Sequence, residues 1–327
     1  MRRLTAFVVA ALLGLAHIGS AAAQSAYPSR TVRFILPYGA GSATDTAARL
    51  FADGLGKLWG KAVIVDNRPG GDGLVSLSAF AQAKDDHVLW FGPAGAFTAL
   101  PYMHDTLPFD PSPAMNPVVS ISVVVLAISV PASLKVDTMG QLVALARSEP
   151  GKLNAAAANG ISDFLLFGFF KKQGLQVAEV PYRDIMQAPT DMLAGRVEVL
   201  STSLAVPQPL ANAGRLKILV VTSKQRAPSQ PEVPTAIEAG YPDLTFESIG
   251  GVFGPPGMPE ELRNRIAADF RKVAAANPLI EKRLAATGQI MSLRSPDQFA
   301  AAIKEQRGTL TALAKTLGLK AAAPSAR

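Results

Sequence analysis

The stretch Thr31-Val-Arg-Phe-Ile-Leu-Pro-Tyr-Gly-Ala-Gly-Ser-Ala-Thr-Asp45 decides the fold. Its apolar first half, Thr31 to Leu36, reads as a strand. Pro37 to Ala43 reads as a loop of small residues, and a helix runs from Thr44-Asp45 toward Trp59. A strand that feeds such a loop onto a helix N-terminus starts an α/β unit and forms a cradle for an anion. The first-turn amides lack internal acceptors, and the helix dipole adds about half a positive charge there. The loop supplies donors and shape but no nucleophile.

Downstream, Ala62 to Asp66 gives a second strand and Asn67 to Gly73 a glycine-rich turn. A helix follows from Leu74 toward Lys84, then a third strand, Val88 to Phe91, closed by Gly92-Pro-Ala-Gly95. This βαβαβ order predicts an α/β protein with a largely parallel sheet. Thr138 with Gln141, Pro259-Glu-Glu261, Asn277-Pro278 and Ser295-Pro-Asp-Gln298 mark later helix starts. Ala178 to Pro181, Val197 to Leu200 and Leu216 to Val221 read as middle-region strands.

The chain opens as an exported protein does. Arg2 and Arg3 precede an apolar run, Leu4 to Ile18, and Ala21-Ala-Ala23 offers a small-residue cleavage site before Gln24. The run Val118 to Val130 is apolar but stops at Pro131, too short to span a bilayer. The mature chain is therefore expected to be soluble and periplasmic.

The net charge of +7 falls to about +5 once the leader arginines are removed, and it is spread thinly, which argues against nucleic acid as a partner. With no cysteine, disulfides, thiolate metal sites and cysteine nucleophiles are excluded. His87 and His104, the two histidines outside the leader, sit beside aspartates and are expected at the surface. No metal or cofactor is expected. Neither a Gly-x-Ser-x-Gly elbow nor a metal-spaced His/Glu set is present, so binding without turnover is expected.

Gly39-x-Gly41-x-x-Thr44, with Asp66 ending the next strand, imitates a dinucleotide fingerprint. Thr44 stands where that fingerprint needs Gly or Ala, and nicotinamide cofactors are foreign to an exported compartment. An exported nucleotide-binding oxidoreductase is thus the weaker reading.

A wider pattern points elsewhere. Tyr27-Pro-Ser-Arg30, Pro37 to Asp45, Val65-Asp-Asn-Arg-Pro-Gly70, Leu107-Pro-Phe-Asp-Pro111, Pro150-Gly-Lys-Leu-Asn154, Val180-Pro-Tyr182, Leu193-Ala-Gly-Arg-Val197 and Glu232-Val-Pro-Thr235 occur in an order and spacing that resembles the Bug family of periplasmic solute receptors. Those receptors serve tripartite tricarboxylate transporters. The resemblance implies a type II periplasmic binding fold, in which two α/β lobes are joined by two crossover strands and close on a small carboxylated solute. Residues 27–125 with 247–327 would form one lobe and 126–246 the other. A monomer working with a membrane permease is implied, and a sensor that docks to a membrane regulator is the variant of that role.

In open α/β sheets, ligands collect beyond the carboxyl ends of the strands. That rule and the resemblance together nominate Tyr38, Gly39, Ala40, Gly41, Ser42, Ala43, Thr44 and Asp45 in the first loop, with Pro93, Ala94 and Gly95 beside them. From the second lobe they nominate Asn159, Gly160, Ser162, Asp163, Tyr182, Asp184 and Thr202. Asp45 could equally serve its own helix dipole, and Ser42 or Thr44 could be a plain N-cap.

The chain departs from the family's pattern at several cleft positions. Gly39 and Ala40 replace prolines, Ser42 a glycine, Leu74 an asparagine and Ile249 a tryptophan, and Pro93, Ala94 and Ala96 stand where hydroxyls are usual. These changes predict a ligand less charged or more apolar than a dicarboxylate: a monocarboxylate, an aromatic acid, or an amine-bearing acid paired with Asp163 or Asp184.

Overall fold

The computed structural model describes residues 27–104, 106–111, 115–158, 160–182 and 185–322. The leader and the candidate residues Asn159 and Asp184 lie outside these. In chain order the elements are β1 (Val32–Leu36), α1 (Ala43–Trp59), β2 (Val63–Asn67), α2 (Leu74–Ala83), β3 (Val88–Pro93), and the short helices α3 (Gly95–Thr98) and α4 (Leu100–Met103). Next come β4 (Asn116–Val124), β5 (Leu126–Pro131), α5 (Met139–Ser148), β6 (Asn154–Ala157), α6 (Ile161–Lys172), β7 (Ala178–Glu179) and α7 (Ala188–Leu193). The chain continues through β8 (Val199–Ser203), α8 (Gln208–Asn212), β9 (Leu216–Val221) and β10 (Ser248–Gly254). It ends with α9 (Glu260–Ala276), α10 (Leu279–Ala286), β11 (Gln289–Met291) and α11 (Pro296–Leu317).

These elements build two α/β lobes. One holds the sheet β11-β4-β10-β3-β1-β2 and the other the sheet β7-β6-β8-β5-β9. The chain steps from the first sheet to the second between β4 and β5, with only Val125 between them, and returns at β10. The apolar run Val118 to Val130 is therefore a pair of strands in different sheets.

The expectation of a largely parallel sheet needs correction. β1 runs parallel to β2 and β3, and β6 to β7 and β8, but β10 and β5 are antiparallel to their neighbours. The cause is connectivity: a strand arriving from the other lobe enters from the opposite end, and no βαβ crossover reverses it.

Aromatic packing secures the first lobe on both faces of its sheet. Phe34, Phe51 and Phe270 stack between the sheet, α1 and α9, with ring centroids 5.0 and 6.0 Å apart. Trp90, Phe97, Phe253 and Phe299 fill the opposite face and are fully buried. Each such side chain contributes ~2–3 kcal/mol by its removal from water.

A third cluster joins the lobes. Leu310 of α11 packs with Phe164 and Leu165 of α6 and with Phe246, so a helix that starts on the first lobe ends against the second. His87 corrects another expectation. It is buried, its Nδ1 lies 2.5 Å from an Asp86 carboxylate oxygen, and its Nε2 accepts from the Ser29 amide, which pins the start of the described chain to β3.

Candidate functional site

The carboxyl ends of β1 and β3 face the second lobe across a cleft of about 620 Å³. The first loop reaches it in a fixed shape. Ser42 caps α1, its hydroxyl accepting from the Asp45 amide at 3.1 Å. Asp45, 3% exposed, ties the loop together, one carboxylate oxygen accepting from the Gly41 amide and from Arg49 Nε, both at 2.9 Å. The other oxygen accepts from Asn67 Nδ2 at 2.9 Å, and Asn67 also donates to the Tyr38 carbonyl.

Burial alone would raise the Asp45 carboxyl's pKa, but donation from Arg49, Gly41 and Asn67 outweighs it and holds the group below its usual range. Both carboxylate oxygens are thus engaged within the protein. The amides of Ala43 and Thr44 have no partner among the described residues, and neither has the Thr44 hydroxyl, which lines the cleft.

Opposite stands the N-terminus of α6. Gly160 precedes it, and Ile161 and Ser162 of its first turn line the same cleft. Two helix N-termini, one per lobe, therefore open onto one space, each with first-turn donors unfilled among the described residues and a positive dipole end. Thr202 and Ser203 from β8 and Ser248 from β10 add hydroxyls without partners among the described residues; Thr202 is 2% exposed. Apolar walls come from Phe91, Ala96, Leu100, Met103 and Ile121.

Of the nominated residues, Tyr38, Gly39, Thr44, Pro93, Gly95, Gly160, Ser162 and Thr202 line the cleft. Ala40, Gly41, Ser42, Ala43, Asp45 and Ala94 flank the wall without lining it, and Gly41, Ser42 and Asp45 hold the loop's shape through their hydrogen bonds. Tyr182 does not line the cleft; it packs against the cluster of Ala188 and Met192 and donates its hydroxyl to Asp191. Asp163 lies in the first turn of α6 but not on the cleft wall, and burial together with Glu179 pushes its carboxyl up to about 6.

Sequence reasoning missed Asp72, Met103, Ser122, Ser248 and Gln289, all on the wall. Ser122 and Gln289 pair at 2.6 Å across β4 and β11. Only the folded sheet brings such distant positions together. The Gly70-to-Gly73 turn, however, was visible as a strand-end loop beside the first.

Comparison with known proteins agrees with this geometry. Residues 47–319 match the model of the tripartite tricarboxylate transporter family receptor. The chain is 32% identical over 301 residues to a UPF0065 protein of Bordetella bronchiseptica, covering 92% of this chain and 89% of that one. It is 26% identical over 324 residues to protein BugT of Bordetella pertussis, covering 98% and 99%. Among solved structures, R. palustris Rpa4515 with adipate superposes with a TM-score of 0.75 at 27% identity, covering 91% of this chain and all of that one.

Proposed function

Because the chain belongs to the tripartite tricarboxylate transporter receptor family, the Bug group of periplasmic solute-binding receptors, we propose that it captures a small carboxylated organic solute between its lobes and delivers it to a permease of that transporter type. One observation carries the reading: the N-termini of α1 and α6, from opposite lobes, open onto the same cleft beside unpartnered hydroxyls.

A carboxylate placed there accepts from the Ala43 and Thr44 amides and the Thr44 hydroxyl on one side and from the α6 first turn on the other. Binding then bridges the lobes, so the solute favours the closed arrangement by whatever it gains from the second lobe. We take residues 27–125 and 247–327 as one lobe and 126–246 as the other, with cleavage of the leader near Ala23 and a monomeric mature chain.

Thermal unfolding of refolded Gln24–Arg327 against mono-, di- and tricarboxylates, aromatic acids and amino acids tests the reading. A solute that binds only the folded state stabilises it by RT ln(1 + [L]/Kd), about 2.7 kcal/mol at a hundredfold excess over Kd. A shift of several degrees for carboxylated solutes, recovered unchanged by mass spectrometry, supports a receptor. A flat response across the panel overturns it.

A further inference from the structure

Among the described residues, Asp72 contributes the one formally charged side chain to the cleft wall; no lysine or arginine lines it. A receptor that grips a carboxylate at its helix N-termini therefore presents a second, opposite electrostatic feature within the same cleft. The chain holds this feature in place at a cost.

Asp72 sits in the turn Gly70-Gly71-Asp72-Gly73 with φ of 52°, a left-handed conformation that disfavours any side chain bearing a Cβ. Glycine would sit there without strain. The turn is also rigidly seated: the buried Trp90 indole donates to Ser76 Oγ at 3.0 Å, and that hydroxyl donates to the Gly73 carbonyl at 2.7 Å. The face of Gly73 where a Cβ would stand meets Pro37 of the first loop and Ala96 of the apolar wall. His104 Nε2, a buried nitrogen without a hydrogen bond, lies 3.3 Å from an Asp72 oxygen.

We propose that Asp72 is the charge filter of the cleft: it admits solutes with one carboxylate whose far end is an ammonium or alkyl group, and rejects those bearing a second carboxylate. The inference rests on the receptor reading above and deepens it. A second solute carboxylate at this end meets a like charge with no cationic side chain on the described wall to offset it, whereas an ammonium finds a partner. The amine-pairing role expected of Asp163, which lies off the cleft wall, falls to Asp72 instead.

The test is calorimetric titration of the refolded mature protein with two matched sets: adipate, hexanoate and 6-aminohexanoate, then succinate, butyrate and 4-aminobutyrate. In the unaltered protein each diacid should bind at least tenfold more weakly than the amino acid of its set. In Asp72→Asn and Asp72→Gly, the second of which suits the backbone better than aspartate, that ratio should shrink to threefold or less. A diacid that binds as tightly as its amino counterpart in the unaltered protein overturns the filter. So does an unchanged ratio in both variants, or failure of all six solutes to bind. Failure across the whole carboxylate panel overturns the receptor reading itself.

Discussion

Ile161 of the second lobe stands directly against Gly95 of the first: a Cβ placed on Gly95 would lie 2.9 Å from Ile161 Cδ1. Met103 meets Gly160 in the same way, its sulfur 3.1 Å from the corresponding position. The lobes therefore touch along one edge of the cleft through two glycines whose missing side chains permit the approach.

Enlarging Gly95 should wedge this contact. Gly95→Leu is expected to weaken binding of whichever carboxylate the panel identifies by at least tenfold, because a branched side chain has no room beside Ile161. Gly95→Ala should cost far less, since the Ile161 methyl can swing aside. Calorimetric Kd values for the two variants check this, and equal effects would mean that closure does not pass through this contact.

Asp45 predicts a pH dependence of the first loop. Its pKa is held below the ordinary 3.8 in the folded state, so the stability it lends is complete above that value and is lost as pH falls through the depressed one. Asp45→Asn breaks the pairing with Arg49 and should cost ~1–3 kcal/mol at neutral pH. Urea unfolding as a function of pH should show the difference between the two proteins narrowing as the pH falls below 3.8. A difference that does not narrow at any acid pH where the fold persists would contradict the assignment.

The first loop was legible because one short segment carries its whole mechanism: strand, small residues, cap and first turn are contiguous, and Ser42 caps as its side chain allows. The capping box at Ser295 and Gln298 was legible for the same reason. β6, by contrast, is Asn-Ala-Ala-Ala, without β-branched or aromatic residues. It is a strand only because β7 and β8 flank it, so no local signal marks it. The Ser122–Gln289 pair joins positions 167 residues apart and depends on the register of β11 on β4. The filter at Asp72 was hidden differently: an aspartate in a glycine turn reads as ordinary turn chemistry until its neighbours on the cleft wall prove uncharged.

Asp163 titrates with the opposite sign to Asp45. Burial first, then Glu179, raises its carboxyl from 3.8 to about 6, so at neutral pH the group is ionised against its environment and stability falls as pH rises between those values. Asp163→Asn should therefore stabilise the unliganded protein by about 1 kcal/mol at pH 7, reduced by the loss of a first-turn negative charge. Near pH 3 the gain should vanish. Thermal unfolding at pH 3, 5 and 7 resolves the trend, and a variant less stable than the parent at pH 7 would refute it.

The hydroxyl of Thr202 separates binding from stability. On a residue that is otherwise buried it opens onto the cleft and has no partner among the described residues, so the unliganded protein gains little from it. Thr202→Val keeps the shape of the side chain and suits a β-strand, here paired through Ala127 of β5. The variant should melt at the same temperature as the parent or slightly above it. If the hydroxyl donates to or accepts from the solute, the Kd should rise about five- to twentyfold, since removal then leaves a solute polar group unpaired in a partly dry cleft. Loss of stability with unchanged affinity would instead place Thr202 in the framework of the second sheet and move the solute toward the first lobe, against Thr44 and the free amides of α1.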